Sequence, residues 1–66
     1  ISRKNARRSI VIKNKILKGA KIKETNIISK RPGTGISPVE WENILDKEVK
    51  YDLEKDHILQ YTDLKK

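Results

Sequence analysis

Lys30-Arg31-Pro32-Gly33-Thr34-Gly35-Ile36-Ser37-Pro38 holds both prolines and two of the three glycines of a 66-residue chain. Pro32 locks its own φ and biases Arg31 toward an extended backbone, while Gly33 and Gly35 permit a sharp reversal. A loop restricted in this way loses little entropy when it meets a ligand. Such a loop presents Lys30 and Arg31 in a fixed direction. The planar guanidinium of Arg31 then suits a carboxylate, phosphate or amide oxygen. A plain turn carrying a solvated arginine fits the same residues equally well. The stretch lacks the Gly-Lys-Ser/Thr ending of a nucleotide-binding phosphate loop, and helix signals begin only at Ser37.

Downstream of the loop, Ser37, Pro38 and Glu40 predict a capping box with proline at the first helical position. The helix expected over 37–45 puts Trp41, Ile44 and Leu45 on one side, and that side should be buried. Upstream, Ile27-Ile28 reads as a strand ending near Arg31, entered through a short helical turn at Thr25-Asn26. Ser9-Ile10-Val11-Ile12 is β-branched and apolar and predicts a first strand. Leu17-Lys18-Gly19-Ala20 reads as a turn in which Gly19 takes a positive φ. Val49 and Tyr51 alternate like strand residues, and Glu54-Lys55-Asp56 makes a second turn before Ile58-Leu59. Residues 1–8 read as a linker or arm, and 9–66 as the domain.

The chain repeats itself weakly at an offset of 37 residues: Ile12 aligns with Val49, Lys13 with Lys50, Ile16 with Leu53, Lys18 with Lys55, and Ile22 with Leu59. Thr25, Asn26 and Ile27 then align with Thr62, Asp63 and Leu64. Two copies of one small unit can share a core that neither buries alone. Short strands, little helix and related halves predict a compact, mostly β, intertwined fold. The expected core is Val11, Ile16, Ile22, Ile27, Trp41, Ile44, Val49, Leu53 and Leu59.

The net charge of +7 is unevenly spread. Residues 1–31 carry eleven Lys or Arg against one acid, Glu24, which gives +10; residues 32–66 carry five Lys against eight acids, which gives −3. A basic face of that strength concentrates anions near it. Sixty-six residues bury only about 60% of the surface the unfolded chain exposes, so help from a partner surface is expected. Cysteine is absent, which removes disulfides and thiolate metal sites and fits a reducing compartment. No apolar run is long enough to span a bilayer. The chain starts at Ile1 rather than Met, and we read it as a piece cut from a longer protein.

The lone histidine, His57, lies beside a predicted turn with no serine or cysteine nucleophile and no metal spacing around it, so it reads as an exposed turn residue. No self-contained catalytic site is legible. Nucleic-acid binding is the competing reading for so basic a chain. Against it, Trp41, Tyr51 and Tyr61 are the only aromatics, and none is interleaved with the basic first half to stack bases.

The order Arg7-Arg8-Ser9-Ile10-Val11, then Leu17-Lys18-Gly19, then the 30–38 stretch with Trp41 resembles the C-terminal antifreeze-like (SAF) domain of sialic acid and legionaminic acid synthases. The resemblance runs from about Ser2 to Leu64. It implies a β-clip fold with pseudo-two-fold halves, related to type III antifreeze proteins. It also implies that catalysis and a divalent metal (Mn or Mg) reside in a separate (β/α)8 barrel, with no cofactor in this domain. Such cytoplasmic synthases condense phosphoenolpyruvate with an N-acetylated amino sugar of the N-acetylmannosamine type. In their swapped homodimer each antifreeze-like domain covers the barrel of the partner protomer. One arginine there reaches the sugar's N-acetyl group. By position within Lys-Arg-Pro-Gly that arginine maps onto Arg31, with Lys30 tuning the field and Pro32, Gly33, Thr34 and Gly35 positioning the loop. Ice binding itself is not expected, because ice-binding faces are nearly free of charge and 38% of these residues are charged.

Overall fold

Ser9–Ile12 forms β1 and Ile27–Lys30 forms β2, an antiparallel pair in the register Ser9↔Lys30 to Ile12↔Ile27. The computed structural model describes residues 7–65. The arm expected over 1–8 therefore lies outside the described residues, apart from Arg7 and Arg8. All four residues of β1 are buried. β2 covers one edge of β1, and residues 57–59 cover the other, where Ile12 N–H donates to the His57 carbonyl and Leu59 N–H to the Ile10 carbonyl, each at 2.9 Å.

The weak repeat in the sequence is a real two-fold in the backbone. Ile16 and Leu53, equivalent residues of the two halves, exchange reciprocal N–H···O bonds at 2.9 and 2.7 Å across the axis. Around them the ladder is matched pair by pair. Gly19 N–H bonds to the Val49 carbonyl (3.0 Å) as Asp56 N–H bonds to that of Ile12 (2.7 Å). Likewise Lys13 N–H bonds to the Asn26 carbonyl (2.6 Å) as Lys50 N–H does to that of Asp63 (2.8 Å). The 3₁₀ turns Glu24–Asn26 and Tyr61–Asp63 also occupy equivalent places. Each is closed by a side-chain oxygen of its last residue, Asn26 accepting from Lys23 N–H at 2.9 Å and Asp63 from Gln60 N–H at 3.0 Å.

The core joins the halves: Ile16 with Leu53, Ile22 with Leu59, Ile27 with Leu64 and Ile12 with Val49 are all buried. Ile10, Ile36 and Ile44 complete it from outside the repeat. Trp41, expected in the core, is instead half-buried and packs against its edge with Leu45. Tyr51 does not continue a strand; it is 57% exposed, and pairing in the second half is confined to isolated bridges.

The helix expected over 37–45 is split into a 3₁₀ turn, Pro38–Glu40, and one turn of α-helix, α1, at Trp41–Ile44. The capping box does not close. Ser37 Oγ accepts from Val39 N–H (3.3 Å), and the Glu40 carboxylate accepts from the Asn43 side chain (3.0 Å) instead of reaching back. Glu40 N–H already bonds to the Ser37 carbonyl at 2.9 Å, the tighter spacing of a 3₁₀ turn.

Candidate functional site

The chain leaves β2 at Lys30 and must return to the core, and Ile36 is where it does so. Ile36 is 2% exposed, its carbonyl accepts from Ile10 N–H (2.8 Å), and its N–H donates to the Leu59 carbonyl (3.0 Å). Residues 31–35 are thereby strung between two fixed points. Between those points one buried hydroxyl spans the loop: Ser9 Oγ donates to the Pro32 carbonyl at 2.6 Å and accepts from Gly35 N–H at 2.8 Å. Ser9 is fully buried, so water cannot replace these bonds.

The two loop glycines are needed for a different reason from the one the sequence indicates. Neither has a positive φ; Gly19 is the glycine that does, at +86°. At Gly33 a Cβ would run into the Arg7 Cβ, and at Gly35 it would lie 2.5 Å from both Ile58 Cγ2 and the Leu59 carbonyl oxygen. Close packing against Arg7 at the one, and against Ile58 and the Leu59 carbonyl at the other, leaves no room for a side chain. The Arg31–Pro32 peptide bond is cis. Arg8 adds an outer tie, its guanidinium donating to the Ser29 carbonyl at 3.3 Å.

Fixing the loop creates a shallow groove of about 220 Å³ lined by Val11, Lys30, Arg31, Pro32, Asp56 and Ile58. Its floor is apolar and its rim is charged. Asp56, in a left-handed conformation at φ 71°, stands 3.4 Å from Lys30 Nζ. Asparagine and aspartate are the non-glycine residues best able to adopt that conformation. Lys30 is therefore paired with an acid, whereas Arg31 makes no hydrogen bond or ion pair among the described residues. Thr34 is exposed at the loop's outer edge.

His57 is not the solvated turn residue its sequence setting predicts. Its Nε2 lies 2.7 Å from Asp63 Oδ2, and Asp63, at 8% exposure, also accepts from Gln60 N–H. The pair becomes visible only once the fold brings the second turn over the last 3₁₀ turn. The loop-positioning part of Ser9 is likewise hidden in the sequence, where its one signal is a small polar residue opening a β-branched run. Among the described residues no three His, Asp or Glu side chains converge to hold a metal ion, and no helix is long and apolar enough to cross a membrane.

Residues 7–65 match the SAF domain family, and the chain belongs to it. It is 46% identical over 59 residues to an uncharacterised protein of Methanocaldococcus jannaschii, covering 89% of this chain and 18% of that protein. It is 43% identical over 47 residues to the N,N'-diacetyllegionaminic acid synthase of Legionella pneumophila, covering 71% of this chain and 13% of the synthase. The chain thus spans less than a fifth of the length of these curated relatives. Its fold is that of the antifreeze protein-like domain from the human N-acetylneuraminic acid phosphate synthase gene, solved in solution. The two superpose with a TM-score of 0.88 at 22% identity, over 94% of this chain and 80% of that one. The domain is therefore related to the antifreeze-like domain of sialic acid synthases.

Proposed function

We propose that this domain caps the active site of a synthase that condenses phosphoenolpyruvate with an N-acetylated amino sugar, releasing phosphate and a nonulosonic acid. The observation that carries the reading is the contrast at the groove rim: Lys30 is paired with Asp56, while Arg31 is held by a pinned loop with its donors unused among the described residues. An acetamido group has a planar carbonyl oxygen for a guanidinium fork and a methyl for an apolar floor. Arg31 beside Pro32, Val11 and Ile58 offers both. Kinship with a legionaminic acid synthase supports the same substrate class.

On this reading the catalytic residues and the divalent metal belong to a (β/α)8 barrel, contributed in a cytoplasmic homodimer by the partner protomer. No chemical step is routed through this domain. Arg31 binds and orients the sugar, Lys30 tunes the local field, and Ser9, Pro32, Gly33, Thr34 and Gly35 keep the guanidinium aimed.

Steady-state kinetics of the barrel-containing enzyme, with the sugar varied at saturating phosphoenolpyruvate, provide the test. Arg31→Ala should lower kcat/KM for the sugar by about tenfold or more, the value of a hydrogen bond to a charged group, and Lys30→Ala should change it little. The reverse order of effects would move the role to Lys30. No effect from either variant would leave the loop a structural turn.

A further inference from the structure

The two-fold that builds the fold also builds a second groove, on the image side of the axis from the Arg31 groove. It measures about 320 Å³ and is lined by Lys18, Gly19, Glu48, Val49, Lys50 and Lys65. Gly19 and Glu48 stand at the positions of Asp56 and Val11, so the acid at the rim of the first groove is replaced here by hydrogen, and an acid stands instead where the first groove has a valine. A Cβ built on Gly19 would meet nothing within 4 Å, which leaves the groove open at that point. The fully buried Val49 forms the floor.

Three lysines and one glutamate are among the residues that line this groove. Lys65 Nζ lies 3.4 Å from Glu48 Oε2. Lys18 and Lys50 make no ion pair among the described residues, although Lys15, Lys23 and Lys30 each find an acid elsewhere. Asp52 accepts from the backbone N–H of Lys18 at 2.7 Å and does not line the groove. Ammonium groups are compact charges without the planar fork of arginine. Several such point charges around one groove suit a multiply charged anion, and lysine is a common phosphate binder.

The geometry points to a second ligand site, one that takes a phosphate group on a small molecule and is independent of the Arg31 groove and of the reading given to it. The groove's size matches the lower end of small-molecule sites and accommodates a phosphate with a few attached atoms.

The experiment is an amide-resolved NMR titration of the ¹⁵N-labelled 66-residue chain with inorganic phosphate and with a hexose 6-phosphate, each against sodium chloride at matched ionic strength. We expect saturable shifts at Lys18, Gly19, Val49, Lys50 and Lys65, with a Kd on the order of 1 mM. Lys18→Gln and Lys50→Gln should each weaken binding by about two- to fivefold, the scale of an exposed ion pair, and Arg31→Ala should leave it unchanged. Both glutamine variants alter exposed side chains, and their spectra report whether the fold is intact. Shifts that chloride reproduces, or that never saturate, would overturn the site. A single-stranded oligonucleotide that binds more tightly than either phosphate, shifting Lys13 and Lys21 as well, would overturn it in favour of a polyanion surface.

Discussion

In the first half of the molecule Gly19, Ala20 and Asn26 occupy the places that Asp56, His57 and Asp63 hold in the second. The main backbone hydrogen bonds at these positions are matched, so the difference lies chiefly in the side chains. The first half keeps its turn bare and its groove open. In the second half Asp56 pairs with Lys30 at the rim of the Arg31 groove, and the His57–Asp63 pair ties the turn to the last 3₁₀ turn. A duplicated frame supplies stability through its apolar pairs and leaves its turn residues free to diverge. The loop that presents Arg31 lies in the connection between the halves, which the repeat does not constrain.

The frame is tested hardest at its axis. Ile16→Ala and Leu53→Ala should each cost about 2–5 kcal/mol, enough to leave much of so small a domain unfolded at room temperature. Equivalent positions should respond alike in urea denaturation; a difference of more than about 2 kcal/mol between them would break the symmetry argument.

Next in size comes the loop. Gly35→Ala places a methyl against the Leu59 carbonyl and Ile58 and should cost about 1–3 kcal/mol, as overpacking does. A neutral result by thermal melting would mean that the loop yields easily and does not fix Arg31. Ser9→Ala leaves Gly35 N–H and the Pro32 carbonyl without their shared partner and should cost about 1–3 kcal/mol. Faster amide exchange confined to residues 32–36 would show that the loss is local to the loop.

The smallest effect sharpens the contrast between the halves. His57→Ala gives the second half the residue the first half has at Ala20. It removes one hydrogen bond from a side chain 39% exposed, so the expected cost is about 0.5–1 kcal/mol, or a fall in Tm of about 2–8 °C. A larger loss would mean that His57 supports more than the last 3₁₀ turn.

Much of this architecture is legible in the residues. β1, β2 and the Gly19 turn follow from β-branched runs and a glycine at a turn, and the aligned apolar positions reveal the two-fold. Other features need the third dimension. Alternation cannot find Ile10 and Ile12 alongside Val11, because β1 is covered on both edges and both faces. Ile36 sits among loop residues and carries no periodicity, yet it is the loop's anchor. The local pattern around Ser37 and Glu40 signals a longer helix than the tertiary structure allows. The glycines of the loop are visible in sequence, but their cause, contact with Arg7, Ile58 and Leu59, is not. Ser9 and the His57–Asp63 pair depend on residues far apart in the chain or across a turn, where no spacing rule applies.

The most direct test of the proposed role compares two sugars. In the barrel-containing enzyme, kcat/KM would be measured for an N-acetylated amino sugar and for its N-deacetylated counterpart, in the native protein and in Arg31→Ala. If the pinned loop exists to present Arg31 to the acetamido group, the preference for the acetylated sugar should fall by about tenfold or more, mostly through loss of activity on that sugar. An unchanged preference in a folded variant would contradict the account and leave Arg31 without a part in substrate selection.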